Sequence, residues 1–509
     1  MKELRLQNKP VKKKEYGINL IPILFVWLAV IVLTFVFLII NDDGADSTSQ
    51  TYLLPWVFLT GAVIAAPSVY LWVKNEFSLI NPLVFAAWSY FFPAFFLGGL
   101  IFTFRLSDPF YLNFIQDTRT DMPLTFIIIM LGYAGLSVGF LLPWARKIGV
   151  KIGDFLPERK WKTENMFFPG FVLLALGLFN TIIGYIAGVI GYQRLDEIGQ
   201  YDGLLFLLTL IWSEASLMLW VVIFRRKKLD FWTAITVLFL FATAFSRVLY
   251  GGNRAGFLLI FLSIAFAYLL AGNTINLKKA VIGGVLMVAC IFVGMIYGTT
   301  FRNVKGTEQQ QDMTQYTENI LATVETISEK DNMQVLESGF ASLLERIEAV
   351  SSVAVVVSNY EKLAPYEEGY GLDNNIWKDT ATFFIPRVVW QDKPVASEPR
   401  KYGDLYFNYG ENSFTITPMG DLLRNFGIVG VPLGMFLLGF LLRIIYAALI
   451  EKREFSYWRA TLFFMLITAV SYESFYGSIL PYLAKVAFIS IVGLITVHFL
   501  IRKEKTSNY

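Results

Sequence analysis

The chain has 509 residues, 55% of them hydrophobic and 16% charged, with a formal net charge of +3. Soluble domains carry roughly 25% charged residues, so this composition excludes a water-soluble globular protein and points to lipid as the main solvent. One cysteine, Cys290, and one histidine, His498, leave no intrachain disulfide or thiolate metal site, and argue against a histidine zinc centre or a Ser-His-Asp triad.

A membrane-spanning helix needs roughly 20 predominantly apolar residues. Runs of that kind lie at 19–40, 52–73, 79–103, 123–145, 165–191 and 203–223. They continue at 229–248, 255–271, 280–299, 427–449, 459–476 and 478–500. The pattern predicts an all-α integral membrane protein with about twelve transmembrane helices. The first run follows a basic tail but is long enough to span and lacks a small-residue cleavage pattern, so it reads as a membrane helix and not a signal peptide. Only Glu473 and the turn at 476–478 separate the last two runs.

Lys and Arg set the orientation. The tail carries Lys2, Arg5, Lys9 and Lys12 to Lys14, and clusters recur at Arg146, Lys147 and Lys151, at Arg159, Lys160 and Lys162, and from Arg225 to Lys228. Lys278 and Lys279, then Lys452, Arg453 and Arg459, then Arg502, Lys503 and Lys505 complete the series. With twelve alternating helices all of these share one side. The opposite short loops hold only Arg105, Arg119, Arg194, Arg247 and Arg254. The positive-inside rule then predicts cytoplasmic N- and C-termini. It divides the chain into helices 1–9 (residues 1–299), one large outward segment (300–426) and helices 10–12 (427–509).

The 300–426 segment is too polar to span and too long for a simple turn. Residues 314–330 and 334–360 are nearly free of Gly and Pro. Leu336, Phe340, Leu343, Leu344 and Ile347 recur at helical spacing, which predicts amphipathic helices there. After Pro365 the Gly and Pro content predicts irregular chain.

Several chemistries are missing. There is no Gly-x-x-x-x-Gly-Lys-Ser/Thr loop for a nucleotide phosphate, and the basic clusters are explained by topology, so no nucleic-acid partner is expected. Two stretches stand out instead. The turn Ser246-Arg247-Val-Leu-Tyr250-Gly251-Gly252-Asn253-Arg254 places two guanidinium groups around a glycine break. This combination suits phosphate oxygens, and equally suits a hairpin whose arginines snorkel to lipid headgroups. The second stretch runs from Asp379 through Pro386, Arg387 and Lys393, and is followed by Pro418-Met-Gly420-Asp421-Leu-Leu-Arg424 at the start of the tenth helix. Asp421 and Arg424 fall one turn apart, the spacing of a local ion pair and helix cap as well as of a site.

On these residues the chain resembles the bacterial oligosaccharide repeat unit polymerases, the Wzy-type enzymes that build O-antigen and related surface polysaccharides. The matching pieces are "SRVLYGGNRAGFLL", "FFIPRVVWQDKP" and "GDLLRNFGIVGVPLGMFLLG", with the single outward segment before the last helices. The resemblance implies a metal-independent glycosyltransferase without a cofactor, acting on undecaprenyl-pyrophosphate-linked oligosaccharides at the outer face of the bacterial cytoplasmic membrane. It implies a flippase and a chain-length regulator as partner proteins. By the same resemblance Arg247, Arg254 and Arg387 are candidates to hold pyrophosphate, followed by Arg424 and Arg346. In the related ligases an outer histidine is implicated, whereas His498 falls near the cytoplasmic end of the last helix, which leaves the base open.

Ionisable groups within the membrane are costly and so are functional candidates. Glu214 in the middle of the sixth helix, Asp421 and Glu473 are the candidate catalytic carboxylates. For Glu473 the competing expectation is neutralisation by Lys485. An O-antigen-ligase-like transferase and a lipid-linked oligosaccharide flippase are the alternatives to a polymerase. Transporters often show repeated halves, and the single, asymmetric outward segment weighs against the flippase.

Overall fold

The computed structural model describes residues 50–506 except 108, 191–198, 229, 253, 276, 307–312, 330–331, 411–412 and 415. The first predicted helix, 19–40, its basic tail and Arg194 lie outside the described residues. Among the described residues every regular element is helical.

Among the described residues nine helices are long and apolar enough to cross a membrane. They are α1 (Thr51–Val73), α2 (Pro82–Thr103), α3 (Thr118–Leu141), α5 (Thr163–Ile186), α6 (Asp202–Arg226), α7 (Phe231–Gly251), α9 (Leu277–Lys305), α15 (Pro418–Leu449) and α17 (Tyr476–Thr506). Between α3 and α5 lies the shorter α4 (Pro143–Phe155). Two further apolar runs form shorter helices, α8 (Arg254–Leu270, 17 residues) and α16 (Tyr457–Ala469, 13 residues). Each ends where the backbone leaves the helix: Gly272 beyond α8 has φ +87°, and Val470 after α16 is extended. The apolar run predicted at 459–476 is therefore helical only in its first part.

The tightest contact joins α3 to α15. A Cβ added at Gly135 would stand 2.3 Å from the Pro432 carbonyl oxygen, and one at Gly139 2.1 Å from that of Phe436. From the other side, a Cβ at Gly439 would meet Leu136 O at 2.0 Å. Backbone lies on backbone here, which is how helices associate where lipid removes the hydrophobic drive. Gly427, at φ +66° and ψ −169°, kinks α15. The turns before it, Pro418 to Phe426, stand above the run predicted from 427 onward and carry Asp421 and Arg424.

The 300–426 segment contains the expected amphipathic helices, α10 (Met313–Glu329) and α11 (Asn332–Ile347). It also contains α12 (Val350–Tyr370), α13 (Asn375–Thr382) and α14 (Pro399–Phe407). The irregular chain expected after Pro365 is a correction. Pro365 lies inside α12, which runs on to a left-handed cap at Gly371. The first turns of α12, Val350–Val357, are buried and pack against α3 and α15. Just before them, a Cβ at Gly98 of α2 would stand 3.1 Å from Glu348 Cα. The segment is thus built into the bundle at its end and is not a detached lid.

Candidate functional site

Thr417 caps α15 by accepting the Gly420 N–H at 3.1 Å, and Pro418 occupies its first turn. That start fixes Asp421 and Arg424 on one face. Arg424, its side chain wholly buried, pairs with Asp421 Oδ1 at 3.0 Å and with Glu367 Oε1 of α12 at 3.1 Å. It also donates to Leu372 O at 3.1 Å and to Asn375 Oδ1 at 2.9 Å. Asp421 Oδ2 accepts from Asn375 Nδ2 at 3.2 Å and from the Gly477 N–H of α17 at 3.1 Å. The Tyr406 hydroxyl of α14 donates to Glu367 at 2.8 Å. Burial pushes the Glu367 carboxyl up, against the pull of Arg424. One guanidinium between two carboxylates joins α12, α13, α15 and α17, so Arg424 is a structural pin whose two terminal nitrogens are spent within the protein, while its Nε has no hydrogen-bond partner among the described residues.

Beside the pin lies Asp379 of α13, buried and bonded through its carboxylate by the Ser397 hydroxyl and, at 3.3 Å, by the Ser397 N–H. Ser397 is also within 3.3 Å of Asn375 Nδ2. Ser397 and Glu398 hold φ of +56° and +39°, two consecutive non-glycine residues in the left-handed region that glycine favours. Burial raises the Asp379 carboxyl above the usual range, with Asp421 adding to the shift and Lys485 opposing it.

Two cations, Lys393 and Lys485, stand near Asp379, and Arg387 stands near both of them. Lys485 of α17 interacts with Asp379 and Arg387. Lys393 donates to Thr382 O at 2.8 Å and Ile385 O at 2.9 Å. Its amine is pushed down by burial, then by Lys485 and Arg387. Arg387 donates to Gln391 O at 3.3 Å. Among the described residues none of the three forms an ion pair within bonding distance. Set against Asp379 and the adjoining Arg424 cluster, where two carboxylates face one cation, these three positive charges leave an excess of about one.

The other expected residues lie elsewhere. Arg247 on α7 turns into the protein instead of standing open at the turn. Its Nη1 donates to Thr181 Oγ1 at 2.8 Å and to Thr209 O at 3.2 Å, where α6 is interrupted, and its guanidinium lies 4.5 Å from the Trp212 ring centre. Arg254 begins α8, and its side chain lies outside the described residues. Glu473 bonds to Arg346 of α11, not to Lys485 as expected. Glu214 is fully buried in α6, away from the Asp379 cluster. Among the described residues no group of three or more His, Cys, Asp or Glu side chains could hold a metal ion.

The sequence reading brought Asp421 and Arg424 together and singled out Arg387. It did not cast Glu367, Asn375, Asp379, Ser397 or Lys393 as site residues, and it gave Lys485 the wrong partner. The one signal for Lys485 was a lysine two turns inside an apolar helix, a placement that calls for a partner.

No curated protein and no solved structure matches the chain. A family model does match, over residues 129–507, from the middle of α3 to the end of α17 and including every residue of the Asp379 cluster. That span is well over half of the 509 residues, and the chain therefore belongs to the family described as a domain of unknown function, DUF8712.

Proposed function

We propose that this membrane protein is a glycosyltransferase that polymerises undecaprenyl-pyrophosphate-linked oligosaccharide repeat units on the outer face of a bacterial cytoplasmic membrane. Its termini are cytoplasmic and its 300–426 segment lies outside. The observation that carries the reading is the excess of positive charge from Arg387, Lys393 and Lys485 where that segment meets α17. A diphosphate ester supplies the matching negative charge, and it is held by point charges and a planar fork together.

In the reaction the acceptor sugar oxygen bonds to the anomeric carbon of the donor while the bond from that carbon to the diphosphate breaks. The electron pair leaves on the diphosphate, where the three cations stabilise it. The acceptor proton passes to the Asp379 carboxylate, whose raised proton affinity and place beside the cations suit it to a general base. Arg424, already bound to two carboxylates, holds the frame of the site.

The test is deletion of the gene in its host, with the surface glycan resolved by size and complemented by Arg387→Ala and Lys485→Ala chains at equal level. The expected result is collapse of a ladder to a single capped repeat, restored by the unaltered chain and by neither variant. An unchanged ladder refutes the polymerase. Loss of all surface glycan, single repeat included, points to the ligase or the flippase.

A further inference from the structure

Glu214 lies in the spanning part of α6 with no exposed surface, and among the described residues neither carboxylate oxygen has a hydrogen-bond partner. Its carboxyl faces the backbone of α17. A Cβ added at Gly493 would stand 2.4 Å from Glu214 Oε2 and 2.8 Å from Oε1. Ser490, one turn earlier on α17, is also fully buried with a hydroxyl that has no partner among the described residues. Residues three apart share a helix face. The α6–α17 contact thus sets a lone carboxyl against the helix face that carries a lone hydroxyl.

Among the described residues no charged side chain compensates the carboxyl. The cations on the helices packed around α6 are engaged elsewhere. Arg247 of α7 is bonded to Thr181 and Thr209, and Arg459 of α16 donates to the Gly153 carbonyl at 3.1 Å. Arg225 and Arg226 at the end of α6 lie over the Phe455 and Phe167 rings, while Lys485 and His498 flank the contact along α17, with Lys485 directed to Asp379. A bare carboxylate cannot be held in such surroundings: removal of an ion from water costs several kcal/mol even after relaxation. The charge has to be neutralised from solution.

We propose that Glu214 and Ser490 form a binding site for a monovalent cation between α6 and α17, taken up as a proton or as an alkali-metal ion. The carboxyl supplies the charge and the serine hydroxyl a second oxygen or a hydrogen bond. Gly493 lets the carboxyl approach the α17 backbone. Loss of the cation leaves a naked charge against that backbone, so occupancy controls how closely the two helices pack.

The purified full chain in detergent, with Glu214→Gln and Ser490→Ala variants, is unfolded by heat across mildly acid to mildly alkaline pH, in choline chloride and in sodium chloride. A cation bound only by the folded state stabilises it by mass action. If the cation is a proton, the wild-type Tm falls relative to Glu214→Gln as pH rises, by about 1–2 °C per pH unit. If it is sodium, the wild-type Tm rises relative to the variant by a similar amount per tenfold increase in sodium. Ser490→Ala reduces either dependence. Wild type and Glu214→Gln following the same curve in both series overturns the proposal. Should Glu214→Gln fail to fold, dicyclohexylcarbodiimide labelling of the wild type decides. Modification of Glu214 at a rate that falls with rising pH or with sodium supports the site, and no modification, or a rate indifferent to both, refutes it.

Discussion

Two polar clusters adjoin each other where the 300–426 segment meets the bundle, and they are wired in opposite ways. Around Arg424 one cation meets two carboxylates, an asparagine and a backbone carbonyl, and the side chain has no surface left. At Asp379 two cations face one carboxylate with a third, Arg387, beside them, and that carboxylate is already bonded to Ser397. In the first the cation is balanced within the protein. The second has positive charge to spare. Both contain residues that a sequence reading would assign to an anion, so residue type does not separate structure from ligand binding; the balance of partners does. Stabilisation is the natural role of the first cluster and recognition of an anion that of the second.

Breaking the Arg424 cluster has the largest effect. Arg424→Met leaves Asp421 and Glu367 buried without their cation, and the expected loss is about 3–5 kcal/mol, the range seen when one partner of a buried pair is removed. Thermal unfolding in detergent measures it. Partial recovery in Arg424→Met combined with Glu367→Gln would sharpen the assignment, whereas a shift of under about 1 kcal/mol in the single variant would make the pin a spectator.

The open cluster should behave in the reverse way. Lys485→Ala or Arg387→Ala changes stability by no more than about 1 kcal/mol. Polymerising activity falls about 100-fold or more, as when a donor to a developing negative charge is removed. Glycan sizing beside a melting curve on the same preparation reads both. Equal loss of stability in these variants and in Arg424→Met would erase the distinction.

Glu348 is an intermediate case, a buried carboxyl bonded by the Ser351 N–H and hydroxyl with no ion pair among the described residues. Burial pushes it up to about 7. A folded-state value above the ordinary carboxylate range means that the folded protein holds the proton more tightly than the unfolded chain. Its stabilisation is therefore complete below about pH 4 and lost as pH rises towards 7. The Tm should decline across that window, and Glu348→Gln should flatten the decline. An identical pH profile in the variant would remove Glu348 from the account.

The exposed pair of Arg346 and Glu473 is the mildest case. Both side chains are more than a third exposed, so Arg346→Ala should cost at most about 1 kcal/mol, and less in high salt. A larger, salt-independent loss would show that this bridge fastens α11 to the turn before α17.

Comparison of these clusters with the sequence reading shows where local pattern suffices. Asp421 and Arg424 were legible as a pair because one helical turn separates them. Glu367 and Asn375 were not, because they come from α12 and α13 and meet Arg424 only through the fold. The expected pairing of Glu473 with Lys485 relied on nearness in sequence. The chain instead reverses before Tyr476, which carries Lys485 down α17 towards Asp379 and leaves Glu473 to an arginine from α11. Pro365 misled for a related reason: it ends a helix by local rules, but α12 is held on both sides of it by packing against α3, α14 and α15.

What the sequence determined by itself is the solvent, the helical class and the approximate place of most spans. These follow from apolar runs of sufficient length, a property that adds up along the chain and needs no knowledge of neighbours. The tertiary structure alone decided that α16 is short, that the polar segment is built into the bundle, and which charges are spent and which are left over. Whether a charge is compensated depends on groups within about 4 Å of it, and in this protein those groups come from helices that the chain order keeps far apart.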